Sequence, residues 1–310
     1  MPRQTIERRS LPAAPHDSCS LSHSQNFITD AQLIARLLSR VELGQATTVI
    51  EIGAGHGALT AALAKLAPRV IAIEADTRLV YGLLSRFAAC PRITLVHGDF
   101  LDYPLPARPF VVVANIPFNR TAEIVRKLTG EESGLQAAYL IMQREAARKF
   151  CGLPACGSPL LSHFLKLDYS VEYLFDIPRS CFSPLPSVDA AFALFRKRKI
   201  PLLDDAEAHQ FRDLLSCVFV LSRPALHDAL GAVFSHAQVK LLFHALRLQS
   251  GVRLSAVAFA DWLRIYRIFA EHGSPAAHAR IKGAYARLLR EQAALSKRHR
   301  TIREQPHASQ

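Results

Sequence analysis

Thr48-Val-Ile-Glu-Ile-Gly-Ala-Gly-His-Gly57, followed directly by Ala58-Leu-Thr-Ala-Ala-Leu-Ala-Lys65, is the stretch that decides the fold. Val49, Ile50 and Ile52 make a short β-branched run suited to a strand buried on both faces. Glycines at alternate positions then remove side chains where the chain must turn, and a helix-prone segment begins. Strand, glycine turn and helix start place free N–H groups and bare backbone where a ligand can lie. The spacing Gly53-x-Gly55-x-Gly57 is neither the G-x-G-x-x-G of a dinucleotide site nor a Walker loop, since no Gly-Lys-Ser/Thr follows.

Outward from this stretch, polar groups recur where strand-like runs end. Arg69-Val-Ile-Ala-Ile ends at Glu74, about twenty residues beyond the first glycine, where a carboxylate can accept from both ribose hydroxyls of a nucleoside. Ile93-Thr-Leu-Val-His97 ends at Gly98-Asp99, and Phe110-Val-Val-Val-Ala114 ends at Asn115-Ile116-Pro117-Phe118. Helical stretches at 58–66, 76–88 and 121–129 separate these runs, which demands a parallel sheet with helices on both faces. A fifth strand at Ala137 to Met142, a helix through Glu145 and Phe150, and a short apolar helix at Leu160 to Leu167 follow. The extended runs Tyr169 to Phe175 and Ala190 to Phe195 have no helix between them and are expected to pair antiparallel at the sheet edge.

The chain of 310 residues suits one domain of ordinary size plus a smaller one. Residues 1–22 read as a flexible basic arm, 23–199 as an α/β catalytic domain, 200–273 as a small all-helical domain, and 274–310 as a basic tail. Asp30 suits the N-cap of a helix carrying Leu33, Ile34, Leu37 and Leu38. The 38 Lys+Arg against 26 Asp+Glu give a formal charge of +12, the balance of a polyanion-binding chain. No apolar run approaches the roughly 18 residues of a membrane span, and the start lacks the apolar core of a signal peptide, so a cytoplasmic location without membrane contact is expected. The six cysteines, Cys19, Cys90, Cys151, Cys156, Cys181 and Cys217, form no C-x-x-C pair and read as reduced and structural, with no metal site.

Asn115-Ile-Pro-Phe118 is the most informative tetrapeptide. Proline marks the strand's end and leaves the carbonyls of Asn115 and Ile116 outside the ladder. Those acceptors and the Asn115 amide oxygen can hold both hydrogens of an exocyclic amine, while Phe118 offers a face on which an unpaired base stacks. Arg120, two residues on, stands either to contact a phosphate or to pack. His56 and His97 read as packing or surface residues, so no catalytic histidine is assigned.

Taken in order, Gln25-Asn-Phe, Glu51-Ile-Gly-Ala-Gly-His-Gly, Ile73-Glu-Ala-Asp, Gly98-Asp-Phe-Leu, Asn115-Ile-Pro-Phe and Phe182-Ser-Pro-Leu-Pro-Ser-Val-Asp resemble the motifs of the S-adenosylmethionine-dependent rRNA adenine N6-methyltransferases, over residues 23–270. Within them the chain is similar to the erythromycin-resistance (Erm) branch, whose motif reads Asn-Ile-Pro-Phe/Tyr. The resemblance implies a Rossmann-like class I methyltransferase fold, with a seven-stranded, mostly parallel sheet and a helical C-terminal domain. It implies that Asn26 and Ile28 line the methionine end of S-adenosylmethionine, Gly53 and Gly55 contact it through backbone, Glu74 binds its ribose, and Asp99 its adenine amine. Asn115, Ile116, Pro117 and Phe118 then hold the target adenine, with Phe182 either packed on the flipped base or a core aromatic. Arg280, Lys282, Lys297 and Arg298 are the basic-tail candidates for RNA contact. The implied activity is N6 methylation of an adenine in the peptidyl-transferase loop of 23S rRNA before subunit assembly is complete, by a monomer, giving macrolide, lincosamide and streptogramin B resistance. A small-subunit rRNA dimethyltransferase and a non-catalytic RNA-binding factor are the competing readings; DNA adenine methylation is disfavoured by Ile116 and by the order of the motifs.

Overall fold

The computed structural model describes residues 26–292 and 294, apart from 45, 47, 154–155 and 221–224. The N-terminal arm, Gln25, Lys297 and Arg298 lie outside the described residues. The chain divides into two compact units, one comprising residues up to Cys151 with Asp168–Lys199, the other Gly152–Leu167 with residues from Ile200 on.

The first unit holds strands β1 (Phe27–Ile28), β2 (Thr48–Ile52), β3 (Arg69–Glu74), β4 (Ile93–His97), β5 (Phe110–Asn115), β6 (Leu135–Gln143), β7 (Tyr169–Ile177), β8 (Phe182–Ser183) and β9 (Ala190–Lys197). Its helices are α1 (Ala31–Leu38), α2 (Ala58–Leu66), α3 (Thr77–Phe87), α4 (Thr121–Leu128) and α5 (Arg144–Cys151). Seven strands form one sheet in the order β4-β3-β2-β5-β6-β9-β7, parallel from β4 to β6, with β9 antiparallel to both β6 and β7. Val49, Ile50, Val70, Phe110 and Val112 have no exposed surface, as two-sided burial of a parallel sheet requires. From β2 the chain winds outward to β3 and β4 on one side and to β5 and β6 on the other. The β2/β5 boundary is therefore a topological switch point, the place where open α/β sheets take their ligands. Asp30 caps α1, its Oδ1 accepting from the amides of Gln32 at 2.8 Å and Leu33 at 3.1 Å. These amides hold the Asp30 carboxyl below its ordinary range.

The second unit contains α6 (Leu160–Leu165), α7 (Asp205–Val220), α8 (Leu226–Leu230), α9 (His236–Ala245), α10 (Phe259–His272) and α11 (Pro275–Ile281). Phe211, Trp262, Ile265, Tyr266 and Phe269 centre its core. Two boundaries differ from the sequence reading. Residues 152–167 join the helices rather than the sheet, because Phe164 and Leu167 are buried in that helical core. Residues 274–285 are not tail: Ala277 and Ile281 are buried there, and Asp213 accepts from the amides of Gly283 at 2.8 Å and Tyr285 at 2.9 Å. A short polar interval between apolar runs carries no local signal of which core an apolar segment will join.

Gly57 sits at φ +78, and a Cβ there would lie 2.7 Å from Phe87 Cε2 and 2.8 Å from Leu83 Cδ2. Gly57→Ala is expected to cost about 2 kcal/mol or more, from left-handed strain plus overpacking, read as a lowered urea midpoint. Glu51 on β2 is fully buried, and its Oε2 has no hydrogen-bond partner among the described residues. Burial, offset in part by the Thr60 hydroxyl and reinforced by the nearby Glu74 carboxylate, pushes the Glu51 carboxyl up from 4.5 to about 8. The folded state then holds this proton more tightly than the unfolded chain, so stability is lost as pH rises from 4.5 to about 8. Glu51→Gln should flatten that decline in urea midpoints measured across the same pH interval.

Candidate active site

A pocket opens at the C-terminal ends of β2, β3, β4 and β5, lined by residues from each strand end together with Asn26 and Phe27. Its floor is the glycine turn. The amides of Gly53 and Ala54 both donate to the Ile73 carbonyl, at 2.9 and 3.1 Å, which draws the turn over the end of β3. Gly55 has φ +57, and an added Cβ would lie 2.7 Å from the Phe27 ring, so this ring rests on bare backbone. Phe27 also meets the His56 ring, at a centroid distance of 4.5 Å. His56 is thus a packing residue beside the turn.

Glu74 is 5% exposed and is anchored through both carboxylate oxygens, Oε2 to the Gly55 amide at 2.8 Å and Oε1 to the Asp76 amide at 2.9 Å. Each oxygen retains lone-pair capacity toward the pocket that Glu74 lines. Asp99 follows β4 and caps the 3₁₀ turn Phe100–Asp102, with Oδ1 accepting from the Leu101 amide at 2.8 Å. Its Oδ2 forms an ion pair with Arg120. Gly98, Phe100 and Leu101 complete this wall.

At the end of β5 the Asn115 Nδ2 donates to the Asn26 carbonyl at 2.6 Å, across 89 residues of sequence. That bond fixes the amide orientation, since only the nitrogen can donate to a carbonyl, and Asn115 Oδ1 is left buried without a partner among the described residues. The Ile116 amide returns to the sheet through Ile141, at 3.1 Å, and Ile116 itself is 2% exposed. Pro117 then starts the 3₁₀ turn Phe118–Arg120, and the half-buried Phe118 reaches the pocket wall.

The structure brings Asn26, Gly53, Glu74, Asp99, Asn115, Ile116, Pro117, Phe118 and Arg120 to one pocket. It corrects several expectations. Ile28 is 8% exposed and belongs to the core beneath the sheet; Phe27 lines the pocket instead, because alternate residues of β1 face opposite ways. Gly55 holds Glu74 rather than lining the cavity. Phe182, opposite Ile28 in the β1/β8 pair, is 4% exposed within the same core, so the core reading of this aromatic holds. Arg120 does not reach outward for phosphate: its Nη1 is taken by Asp99 and its Nη2 by Glu123 at 3.0 Å. Arg280 and Lys282 lie exposed in the helical unit, Arg280 donating to the Ala232 carbonyl. Sequence reasoning missed Phe27 and Leu101 as lining residues, although both stand inside motifs it singled out.

The family model for ribosomal RNA adenine dimethylase matches residues 17–271. The chain is 34% identical over 265 residues to an rRNA methyltransferase of Streptomyces thermotolerans, covering 85% of this chain and 87% of that one. It is 31% identical over 255 residues to the mycinamicin-resistance protein MyrB of Micromonospora griseorubida, covering 82% and 80%. A ribosomal RNA small subunit methyltransferase A of Listeria monocytogenes matches at 31% over 224 residues, 69% of this chain and 76% of the relative. Among solved structures, the 23S rRNA methyltransferase ErmE superposes with a TM-score of 0.72 at 29% identity, over 78% of this chain and 98% of that one. The glycine turn, the anchored Glu74 and the unpartnered Asn115 oxygen fit a sulfonium nucleoside cofactor beside an amine. The chain belongs to the ribosomal RNA adenine dimethylase family, and is an rRNA adenine methyltransferase that takes its methyl group from S-adenosylmethionine.

Proposed function

We propose that the protein methylates N6 of an adenine in the peptidyl-transferase loop of 23S rRNA and thereby confers macrolide, lincosamide and streptogramin B resistance. The observation that carries the amine chemistry is the Asn115 Oδ1, a buried acceptor without a partner among the described residues, in the pocket that Phe118 also lines. Within this reading Glu74 receives the ribose hydroxyls, Asp99 the cofactor's adenine amine, and the Gly53 backbone its methionine portion beside Asn26. Asn115 accepts an amine hydrogen of the target adenine, turning the nitrogen lone pair toward the pocket, and Phe118 stacks on the unpaired base for about 1–3 kcal/mol.

S-adenosylmethionine brings an activated methyl group on a sulfonium. What the chain supplies is alignment and exclusion of water, so no general base is required at the start and the displaced amine proton leaves to solvent. Target choice favours an unstacked loop, where an adenine edge is accessible. Support for 23S over the small subunit comes from Asn115-Ile-Pro-Phe118, from the likeness to ErmE, and from the match to MyrB. The second reading, a small-subunit rRNA dimethyltransferase, draws on the Listeria match of nearly the same identity. Exposed Arg280 and Lys282 on the helical unit serve RNA phosphate in either case.

Radiolabelled methyl transfer to unmethylated large and small ribosomal RNAs in parallel, mapped by primer extension, should place label on one adenine of the 23S peptidyl-transferase loop. Label near the 3′ end of the small-subunit RNA would instead assign the assembly role. Asn115→Ala should lower methyl transfer by about a hundredfold or more through lost alignment, while S-adenosylhomocysteine affinity falls far less; full activity in that variant would overturn the pocket assignment.

A further inference from the structure

The 3₁₀ turn Phe100–Asp102, part of the pocket wall, is held by two cations from the two ends of a single helix. At its start, Asp99 Oδ2 pairs with Arg120, the residue immediately before α4. Beyond it, Lys127 in the last turn of α4 donates through Nζ to the carbonyls of Phe100 at 2.8 Å and Leu101 at 2.7 Å, and to that of Tyr103. Arg120 and Lys127 are seven residues apart in sequence, close to two helical turns, which sets them on one side of α4. Glu123 holds the second guanidinium nitrogen, giving Arg120 one direction. Lys127 is partly desolvated where it sits, and burial lowers its pKa. An ammonium kept there on backbone carbonyls, with the entropy cost of ordering a long side chain, indicates that the conformation of this turn matters.

We propose that Arg120 and Lys127 are positioning residues that set cofactor specificity. Together they hold the Asp99–Leu101 wall so that Asp99 keeps a free lone pair directed at the exocyclic amine of the cofactor's adenine. Asp99 Oδ1 spends one acceptor site on Leu101 and Oδ2 one on Arg120, and the sites left over have a direction only because both partners are fixed. The inference rests on the reading of Asp99 given under the proposed function. It also explains why a guanidinium expected to meet RNA is turned inward.

The test is calorimetric titration of the full chain, without RNA, with S-adenosylhomocysteine and with its deaminated analogue S-inosylhomocysteine, in which oxygen replaces the amine. The parent protein should prefer the amine ligand by about tenfold or more, the worth of one hydrogen bond to a charged acceptor. Arg120→Met and Lys127→Met should each bring that preference close to one while S-inosylhomocysteine affinity changes little, and Arg120→Lys should keep part of it. An unchanged preference, or a parallel loss for both ligands, overturns the proposal. Asp99→Ala separates the two levels. If it retains the amine preference, the Asp99 reading falls and this inference with it; if it loses the preference while both Met variants keep it, only the inference falls. Melting temperatures without ligand check folding, and should Arg120→Met fail to fold, Lys127→Met at the far end of the same turn decides the question.

Discussion

One hydrogen bond, from the Gly55 amide to Glu74 Oε2, joins the two strand ends on which the site depends. It forms only if the chain leaves β2 through left-handed glycines, so that the amides after the strand point sideways to β3 rather than onward along β2. The bond fixes Glu74 without using up its acceptor capacity, and it presents the glycine backbone as a surface. Phe27 lies on that surface because Gly55 has no side chain to displace it. Pocket floor and the Glu74 carboxylate are thus a single construction.

The same economy appears at β5. Asn115 uses its amide nitrogen structurally, on the carbonyl of Asn26, and leaves its oxygen without a partner among the described residues. A buried acceptor in that state costs about 1–3 kcal/mol in the free protein, a cost that, in the proposed function, an amine recovers on binding. The residues around it are deeply packed, with Ile116 closing the strand and Phe118 held partly in the core by its neighbours. Such packing limits how far the oxygen can move, which is what alignment of a nitrogen with a methyl group requires.

The helical unit is built by different rules. Aromatic rings stand among the aliphatic side chains of its core, and His163 sits among Phe219, Phe259 and Trp262, where burial lowers its pKa to about 3 and keeps the ring neutral. Nothing in that environment suits proton transfer to a substrate. Lys166 and Arg212 of this unit are buried, whereas Arg280, Lys282, Arg287 and Arg290 lie exposed, where they add to long-range attraction for a polyanion.

Local pattern alone determined the strand and helix sequence, the glycine turn, the antiparallel edge and the polar residues at successive strand ends, since each follows from the identity of neighbouring residues. The ordered motifs likewise identified Glu74, Asp99 and Asn115 as a set. Tertiary structure decided which atoms of that set are already engaged: Asn115 Nδ2 by Asn26, Asp99 Oδ2 by Arg120, both oxygens of Glu74 by backbone amides. It also decided that Phe27 rather than Ile28 meets the pocket, that Phe182 is core, and that Leu160–Leu165 belongs with the helices. Those outcomes depend on which face of a two-residue strand or a short helix meets which core, and on contacts between residues far apart in the chain, such as Asn26 with Asn115 and Ile28 with Phe182. Short segments carry too few residues for a periodicity to orient them, and distant partners leave no mark on the local pattern.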